Sequence, residues 1–222
     1  MFASSKMLEN WNSRELDLTG FFHYMEQPGT ATDNASISKI FTQIGVNDQM
    51  LKNVLNNPDT KALVCSRYQP KPVQLDDLLK LPEISFGHQW AVFMKKNRLN
   101  PNFFINDGGN DDRTYLINRL HNTHDIWHVL LNFDTSEAGE AGMNAFTYAQ
   151  CYSPTTCMLM AAKLVRAISA PEETRQRMMN NIATGYKLGQ ELQAFIAVKW
   201  EENWQMPLRE LRREVGITNE YI

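Results

Sequence analysis

Apolar residues recur at helical spacing along most of this chain, and no alternating strand pattern longer than four residues is found. The first periodic segment predicts a helix that opens at Asn34 and stops at Gly45. A second, shorter helix is predicted to be capped by Asn47 and to end before Pro58. The apolar positions that define the two helices are Ile37, Ile40, Phe41, Ile44, Met50, Leu51, Val54 and Leu55.

The middle of the chain continues this pattern after a proline-containing connector. Three prolines between residues 68 and 82 indicate a connecting segment with one helical turn near Leu78 and Leu79. A helix is predicted over 87–97. The run Asp-Gly-Gly-Asn-Asp-Asp that ends at Asp112 predicts a loop that caps the next helix. Two helices are then expected over about 113–131 and 136–152.

The last part of the chain predicts further helices. Pro154 begins one of them, and Ser169-x-x-Glu172 reads as a capping box for a long helix that reaches about Trp204. Gly185 and Gly189 indicate a bend or a close helix contact midway along it. These elements predict an all-α fold.

A final helix is predicted from Pro207 to Gly216, where Ile217 can pack back in a Schellman close. The chain shows no internal repeat. We therefore expect one all-α, multi-helix domain over residues 1–222.

Composition narrows the class of protein. The 222 residues are 43% hydrophobic with a net charge of −3 and no basic block, so a nucleic-acid partner is not expected. Three cysteines without a CxxC pair argue against a thiolate zinc site and a disulfide scaffold. No apolar run approaches the ~20 residues of a membrane span. No signal or transit peptide is visible around Glu9, Glu15 and Asp17, so a cytoplasmic globular protein is expected.

One segment carries candidate chemistry: His124-Asp125-Ile126-Trp127-His128, followed by eleven residues and then Glu140. Histidines at i and i+4 lie about 40° apart around a helix, so both imidazoles project from one face. That spacing is typical of helical metal sites. Asp125 lies near that face, as a flanking ligand or as a partner for a ligand's outer N–H. A turn after residue 131 lets Glu140 face the histidines from the next helix.

Two interpretations of this segment stay open. The histidines lie on an apolar stripe, so they could be hydrogen-bonded core residues without a metal. A metal ion would relieve the cost of burying two imidazoles and two carboxylates together. A site of two nitrogens and two oxygens without sulfur suits Zn²⁺ first, and Mn²⁺, Fe²⁺ or Co²⁺ are also compatible. The stripe comprises Ile117, Leu120, His124, His128 and Leu131.

The motif resembles the signature of the fourth coenzyme Q (ubiquinone) biosynthesis protein family, and the resemblance covers roughly Leu18 to Thr218. The flanking sequences are also similar to those of the family. They are Leu81–Gly87 with Phe93, Asn97-Arg98 and Pro101, then Gln150 and Pro154, then Trp200-Glu201 and Leu208–Ile217.

The resemblance implies a divalent-metal site, generally taken as zinc, whose ligands map onto His124, Asp125, His128 and Glu140. It implies action on the prenylated aromatic precursor of ubiquinone, with the C1 carboxylate replaced by a hydroxyl. Asp125 and Glu140 are the candidates for a catalytic role. A homodimer, peripheral contact with the membrane and association with other quinone-biosynthesis enzymes are also implied.

The sequence departs from the family's pattern close to the motif. Arg119-Leu-His-Asn stands where the family has RYRE, so that only the arginine matches. Asn144 and Thr147 stand where the family has Lys and Glu. These replacements affect the expected head-group chemistry more than the expected binding of metal or lipid.

A polyprenyl tail requires a long apolar groove, which methionine-rich helices line well. Met143, Met158, Met178 and Phe195 are candidate groove residues, although each could equally be an ordinary core residue. Helix 136–152 also carries small residues on one face. These are Ala138, Ala141, Ala145 and Ala149.

Two functions therefore remain open. One is a metal-dependent enzyme that decarboxylates a prenylated hydroxybenzoate, with Arg119 either pairing with an anionic group or solvated at the surface. The other is a non-catalytic isoprenoid-lipid binding or scaffold protein, whose site could hold Mg²⁺ if the head group were a phosphate. A third, weaker candidate is an HD-type phosphohydrolase, suggested by His121 upstream of His124.

Overall fold

A computed structural model describes residues 18–26, 37–39, 41, 46–101 and 111–218. Within these ranges the regular elements are helical, and the one strand-like pairing is an isolated antiparallel bridge between Ser85 and Pro207. The all-α class is thereby confirmed. The helices are α1 (Thr19–Glu26), α2 (Val46–Leu55), α3 (Pro58–Ser66), α4 (Leu75–Leu78), α5 (Phe86–Lys96), α6 (Asp112–Leu131), α7 (Glu137–Cys151), α8 (Pro154–Ala167), α9 (Glu172–Glu191) and α10 (Leu208–Glu214).

The chain folds into two compact units. One unit comprises residues 1–54 and 137–189, and the other comprises residues 55–136 and 190–222. Each unit is discontinuous in sequence, since the second supplies the chain that joins the two parts of the first. That the whole chain forms one domain stays a prediction.

In the first unit, α8 packs against both α7 and α1. Helix α9 approaches α7 at two glycines: a Cβ built on Gly185 would lie 2.1 Å from the carbonyl oxygen of Gly142. A Cβ on Gly189 would lie 2.6 Å from the Cβ of Ala149. The predicted close helix contact is therefore present, because only glycine lets the two backbones approach this closely.

In the second unit, α5 packs against α4, α6 and α10. The N-terminus of α6 is capped by Asp111, whose Oδ1 accepts hydrogen bonds from the N–H groups of Arg113 and Thr114 at 3.0 Å. The loop residues 102–110 lie outside the described part of the chain. The predicted cap before this helix is thus confirmed at Asp111.

The C-terminus of α6 is held by an arginine from α10. Arg212 donates from Nε to the carbonyl oxygen of Leu130 at 2.9 Å and from Nη2 to that of Val129 at 2.7 Å. These carbonyls have no partner within the helix, and a cation is favourable at that end of the dipole. Asn132 then leaves the helix in a left-handed conformation, with φ of 58°.

One prediction around the second helix is wrong, whereas its predicted end before Pro58 is confirmed, because α2 ends at Leu55. Helix α2 begins at Val46, so that Asn47 lies inside it. Pro58 starts a further helix, α3, which the sequence did not predict. Proline at the first helical position lacks only an N–H that has no partner there, and the Asn57 side chain caps the next two N–H groups.

The long helix predicted to reach Trp204 ends at Glu191 and is followed by two short 3₁₀ turns, Phe195–Ala197 and Trp200–Glu202. Phe195 and Trp200 are both fully buried. A separation of five residues would place them far apart around one helix, so the chain must leave the helix to bury both.

The predicted capping box is also wrong, because the first bonded N–H of α9 donates to the carbonyl oxygen of Pro171. Ser169 instead lies in the turn after α8, where its N–H donates to the carbonyl oxygen of Arg166. Local pattern alone does not separate a capping box from a turn that precedes the helix.

The end of the chain behaves as predicted. At the end of α10, the N–H of Ile217 donates to Arg212 and that of Gly216 donates to Arg213, with Gly216 at φ of 90°. These two bonds define a Schellman motif. The first predicted helix is only partly described: Ile37 and Phe41 are helical, whereas Asn34, Ile40, Ile44 and Gly45 lie outside the described residues.

Candidate metal centre

His124 and His128 lie one turn apart on α6 and direct their imidazole rings toward each other. Their Nε2 atoms are 3.1 Å apart, and the ring planes are nearly perpendicular, at 84°. His128 is buried and His124 is half-buried. The i,i+4 spacing thus places both imidazoles together, as the sequence predicted.

The second ring nitrogen of His128 is fixed by the backbone. Its Nδ1 lies 3.0 Å from the carbonyl oxygen of Phe133. A carbonyl oxygen only accepts hydrogen bonds, so Nδ1 carries the proton and Nε2 presents its lone pair. Phe93 of α5 stacks on the same ring, with 5.6 Å between centroids. Both the tautomer and the orientation of His128 are therefore set before any ligand binds.

Two imidazole nitrogens this close require something between them. Either the N–H of one ring donates a hydrogen bond to the nitrogen of the other, or both nitrogens coordinate one cation. Zinc binds histidine nitrogen at about 2.0–2.1 Å, which in tetrahedral geometry separates two nitrogens by roughly 3.3 Å. The 3.1 Å separation of the two Nε2 atoms therefore suits a shared metal ion.

Glu140 supplies the carboxylate of this group and lies half-buried near the start of α7. In the part of the chain that the structure describes, His124, His128 and Glu140 each offer one ligand atom, and these atoms lie within 4.8 Å of one another. Three protein ligands leave a fourth position for water or a substrate oxygen, as in catalytic zinc sites. The donors also suit manganese, iron or cobalt, so they do not identify the metal.

Asp125 lies half-buried on α6 and is not a member of this three-residue group. A carboxylate one residue after a histidine ligand can orient that ligand without binding the metal itself. Its role as ligand, base or hydrogen-bond partner stays a prediction.

Arg119, one of the sequence candidates, is buried instead of lying at the surface, with 4% of its surface exposed. Its Nη1 and Nη2 donate to the two carboxylate oxygens of Glu201. Nη2 also donates to the carbonyl oxygen of Val198. The Tyr68 ring lies 5.5 Å from the guanidinium, and burial followed by the charge of Glu201 raises the pKa of Tyr68 to about 12. The charge of Arg119 is therefore balanced within the protein.

Lys163 is a buried cation that the sequence interpretation missed. It is 4% exposed on α8, where its Nζ bonds to the hydroxyl of Tyr24. Burial lowers the pKa of Lys163 to about 8, opposed in part by the negative charges of Glu140 and Glu137. The sequence feature that indicates its burial is the position of this lysine on the face of α8 where helical periodicity places apolar residues.

The four predicted groove residues occupy interior positions. Met143, Met178 and Phe195 are fully buried, and Met158 packs partly buried against the cluster that contains Tyr24. Packing alone accounts for this burial. Their contact with a lipid tail stays a prediction. None of the described helices has the length and hydropathy needed to cross a membrane.

Comparisons with known proteins agree with the sequence motif. A family model described as "Coenzyme Q (ubiquinone) biosynthesis protein Coq4" matches residues 16–220. The chain is 30% identical over 152 residues to the mitochondrial ubiquinone biosynthesis protein COQ4 homolog of Bos taurus, covering 66% of this chain and 55% of that protein. It is 27% identical over 154 residues to the Aedes aegypti homolog of the same name, covering 68% and 55%.

A crystal structure of a candidate ubiquinone biosynthesis protein from Nostoc punctiforme is similar in fold, with a TM-score of 0.77 and 28% identity. The match covers 91% of this chain and 97% of that one. The chain spans little more than half the length of the two curated relatives. Their names place them in mitochondria, so the cytoplasmic location expected for this chain stays a prediction.

Proposed function

Because the chain belongs to the coenzyme Q (ubiquinone) biosynthesis protein Coq4 family, we propose that it acts in ubiquinone biosynthesis as a metal-dependent enzyme. The proposed substrate is a polyprenylated hydroxybenzoate, and the proposed reaction replaces its C1 carboxylate by a hydroxyl group. Family membership supports this substrate class. The proposal that the enzyme depends on a metal rests on the two Nε2 atoms of His124 and His128, which lie 3.1 Å apart on α6.

The residues of the site have distinct proposed roles. His124, His128 and Glu140 hold the ion, and Phe133 fixes the proton of His128 on Nδ1, so that the lone pair of Nε2 can coordinate. Asp125 orients a ligand or removes a proton from substrate. A bound divalent ion supplies Lewis acidity toward the oxygens of the ring.

The reaction has an electron balance that constrains the site. With water supplying the hydroxyl oxygen, exchange of a ring carboxylic acid for a hydroxyl group releases carbon dioxide and two protons and removes two electrons from the substrate. Zinc has no second oxidation state in proteins, so with zinc bound a separate two-electron oxidant is required, and we propose dioxygen, which is reduced to hydrogen peroxide. Iron, manganese or cobalt at the same donors could take part in the electron transfer.

The need for an acceptor of these two electrons also supports a second candidate function, that of a non-catalytic isoprenoid-lipid binding or scaffold protein. Two imidazoles and one carboxylate suit zinc, which does no redox chemistry on its own. In this alternative the ion holds the site or the lipid head group, and Mg²⁺ becomes suitable for a phosphate. In both cases we propose that the chain forms a homodimer, contacts the membrane peripherally and associates with other quinone-biosynthesis enzymes.

Metal content and turnover test these proposals together. Purified protein is expected to contain close to one zinc, iron, manganese or cobalt ion per chain. It is expected to convert a prenylated hydroxybenzoate under air. His128→Ala should lose both metal and turnover while keeping its circular dichroism spectrum. His121→Ala is the matched control, because His121 lies on the same helix outside the three-residue group and should retain the metal.

Mass spectrometry of lipid extracted from the purified protein separates the two candidates. A bound isoprenoid without turnover, with each of these metals supplied in turn, would favour the binding protein. A metal-free wild-type chain that cannot be loaded with any of these metals or with Mg²⁺ would contradict both.

A further inference from the structure

Asn144 on α7 is a buried amide whose nitrogen has no hydrogen-bond acceptor among the described residues. It is 5% exposed, and the unsatisfied atom is Nδ2. An amide nitrogen carries two donors, and buried donors in native proteins are nearly always satisfied. The exceptions commonly mark a place where a ligand, an ion or a water supplies the missing partner.

The position of Asn144 relates it to the candidate metal centre. It follows Glu140 by four residues on the same helix, so the two side chains project within about 40° of each other, one turn apart. Glu140 belongs to the three-residue metal group. The unsatisfied donor therefore lies on the face of α7 that carries a candidate metal ligand.

Other amides of the same unit are satisfied by the protein itself. Gln150, also on α7, donates from Nε2 to the carbonyl oxygen of Gly189 at 2.8 Å. Asn181 on α9 donates from Nδ2 to the carbonyl oxygen of Ala138 at 3.0 Å. The local backbone thus satisfies these half-buried amides, whereas the more deeply buried Asn144 lacks an acceptor for Nδ2 among the described residues.

We propose that Asn144 is a substrate-binding residue that donates a hydrogen bond from Nδ2 to an oxygen substituent on the aromatic head group at the metal centre. This inference rests on the proposed function, and it names a specificity contact for the same site. A buried donor without its acceptor penalises any ligand that lacks the oxygen. Asn144 therefore selects oxygen-bearing rings over purely hydrocarbon isoprenoids.

The experiment measures binding of two small probes to the zinc-loaded full chain by titration calorimetry. One probe is 3-prenyl-4-hydroxybenzoate, and the other is 2-prenylphenol, which lacks the carboxylate. Asn144→Leu removes the donor at similar volume, and Asn144→Ala is a smaller variant in case the leucine disturbs folding. We expect about tenfold weaker binding of at least one probe, with unchanged zinc content. The probe that is affected identifies the acceptor oxygen.

Gln150→Leu provides the matched control, since its amide on the same helix has an acceptor within the protein. It should lower the melting temperature and leave probe affinity unchanged. Asn144→Leu should leave the melting temperature of the ligand-free protein equal or higher, because its Nδ2 makes no hydrogen bond to a described residue.

Equal probe affinities for wild type and both Asn144 variants would overturn the inference, as would a drop in melting temperature as large as that of Gln150→Leu. Failure of the wild type to bind either probe would instead contradict the proposed substrate class, and this inference with it. The two failures are distinguishable, because the second is seen in the wild type alone.

Discussion

Arg119 and Glu201 form a buried ion pair in which the two nitrogens Nη1 and Nη2 bond to the two carboxylate oxygens. Their side chains are 3% and 8% exposed. The pair joins α6, which carries both histidines, to the second 3₁₀ turn of the same unit. It supports the helix of the metal centre without belonging to the metal group.

Removing one partner of this pair should destabilise the fold strongly. Arg119→Met leaves the carboxylate of Glu201 buried without its cation, and a loss of about 3–5 kcal/mol in the free energy of unfolding is expected. The measurement is urea unfolding followed by tryptophan fluorescence. Lys80→Met, which breaks the exposed pair with Asp77, is the control and should change stability little. Equal effects of the two variants would contradict the prediction.

The buried amine of Lys163 should make stability depend on pH. Its pKa is lowered from 10.5 to about 8 in the folded protein, mainly by burial. The folded state then binds fewer protons than the unfolded state between these values, so the free energy of unfolding should rise as pH increases from 8 to 10.5. Below pH 8 the amine is charged in both states, and the full cost of its burial, roughly 3 kcal/mol, is present.

Lys163→Met should remove this contribution to the pH dependence. The comparison is the free energy of unfolding of wild type and variant, measured below pH 8 and above about pH 10. Taking the difference between the two proteins cancels the other groups that titrate in this range. The exposed variant Lys61→Met should keep the wild-type slope. A Lys163→Met protein with an undiminished slope would show that the amine is not the cause.

Substitution of the two carboxylates near the histidines should separate a metal ligand from a supporting group. Glu140→Gln removes a member of the three-residue group and is expected to abolish stable zinc binding. Asp125→Asn is expected to weaken zinc by about 10–100-fold, as for residues that orient a ligand. Competition with a chromogenic chelator measures both affinities. The reverse order of effects would make Asp125 the ligand.

Substitution at the closest helix contact should be poorly tolerated. In Gly185→Ala the new methyl group would lie 2.1 Å from the carbonyl oxygen of Gly142, so α7 and α9 must separate. Overpacking of this kind costs about 1–3 kcal/mol, and contact with rigid backbone places this variant at the upper end. The shift in urea midpoint measures the loss. Met179→Ala on the exposed surface of α9 is the control and should shift the midpoint far less.

The helices and the metal motif were predictable because both follow from local periodicity. The His124–His128 spacing requires only helical geometry. The turn after residue 131 is likewise indicated by its own polar, turn-forming residues. Asn57 and Pro58 show the limit of such signals, because proline ends one helix and begins another with equal ease. Long-range burial decided the end of α9, where Phe195 and Trp200 both enter the core.

Interactions made at a distance in sequence were beyond prediction from local pattern. The partner of Arg119 is Glu201, 82 positions away, and no spacing rule connects them. The hydroxyl group that is hydrogen-bonded to Lys163 belongs to Tyr24, 139 positions away. The acceptor of His128 is a backbone carbonyl oxygen, which any residue at position 133 would provide. Side-chain identity therefore carried no information about it.

The turn over residues 132–136 has a consequence for how the length of this chain can vary. It starts from the left-handed Asn132, provides the Phe133 oxygen to His128, and is tied to α5 by a 2.9 Å hydrogen bond between Thr135 and Asn97. Surface loops usually accept inserted residues. Here a single insertion would withdraw the acceptor from His128 and allow its ring to exchange tautomers. Insertions and deletions between related chains should therefore accumulate in the mostly exposed connector 69–74 and be excluded from 132–136.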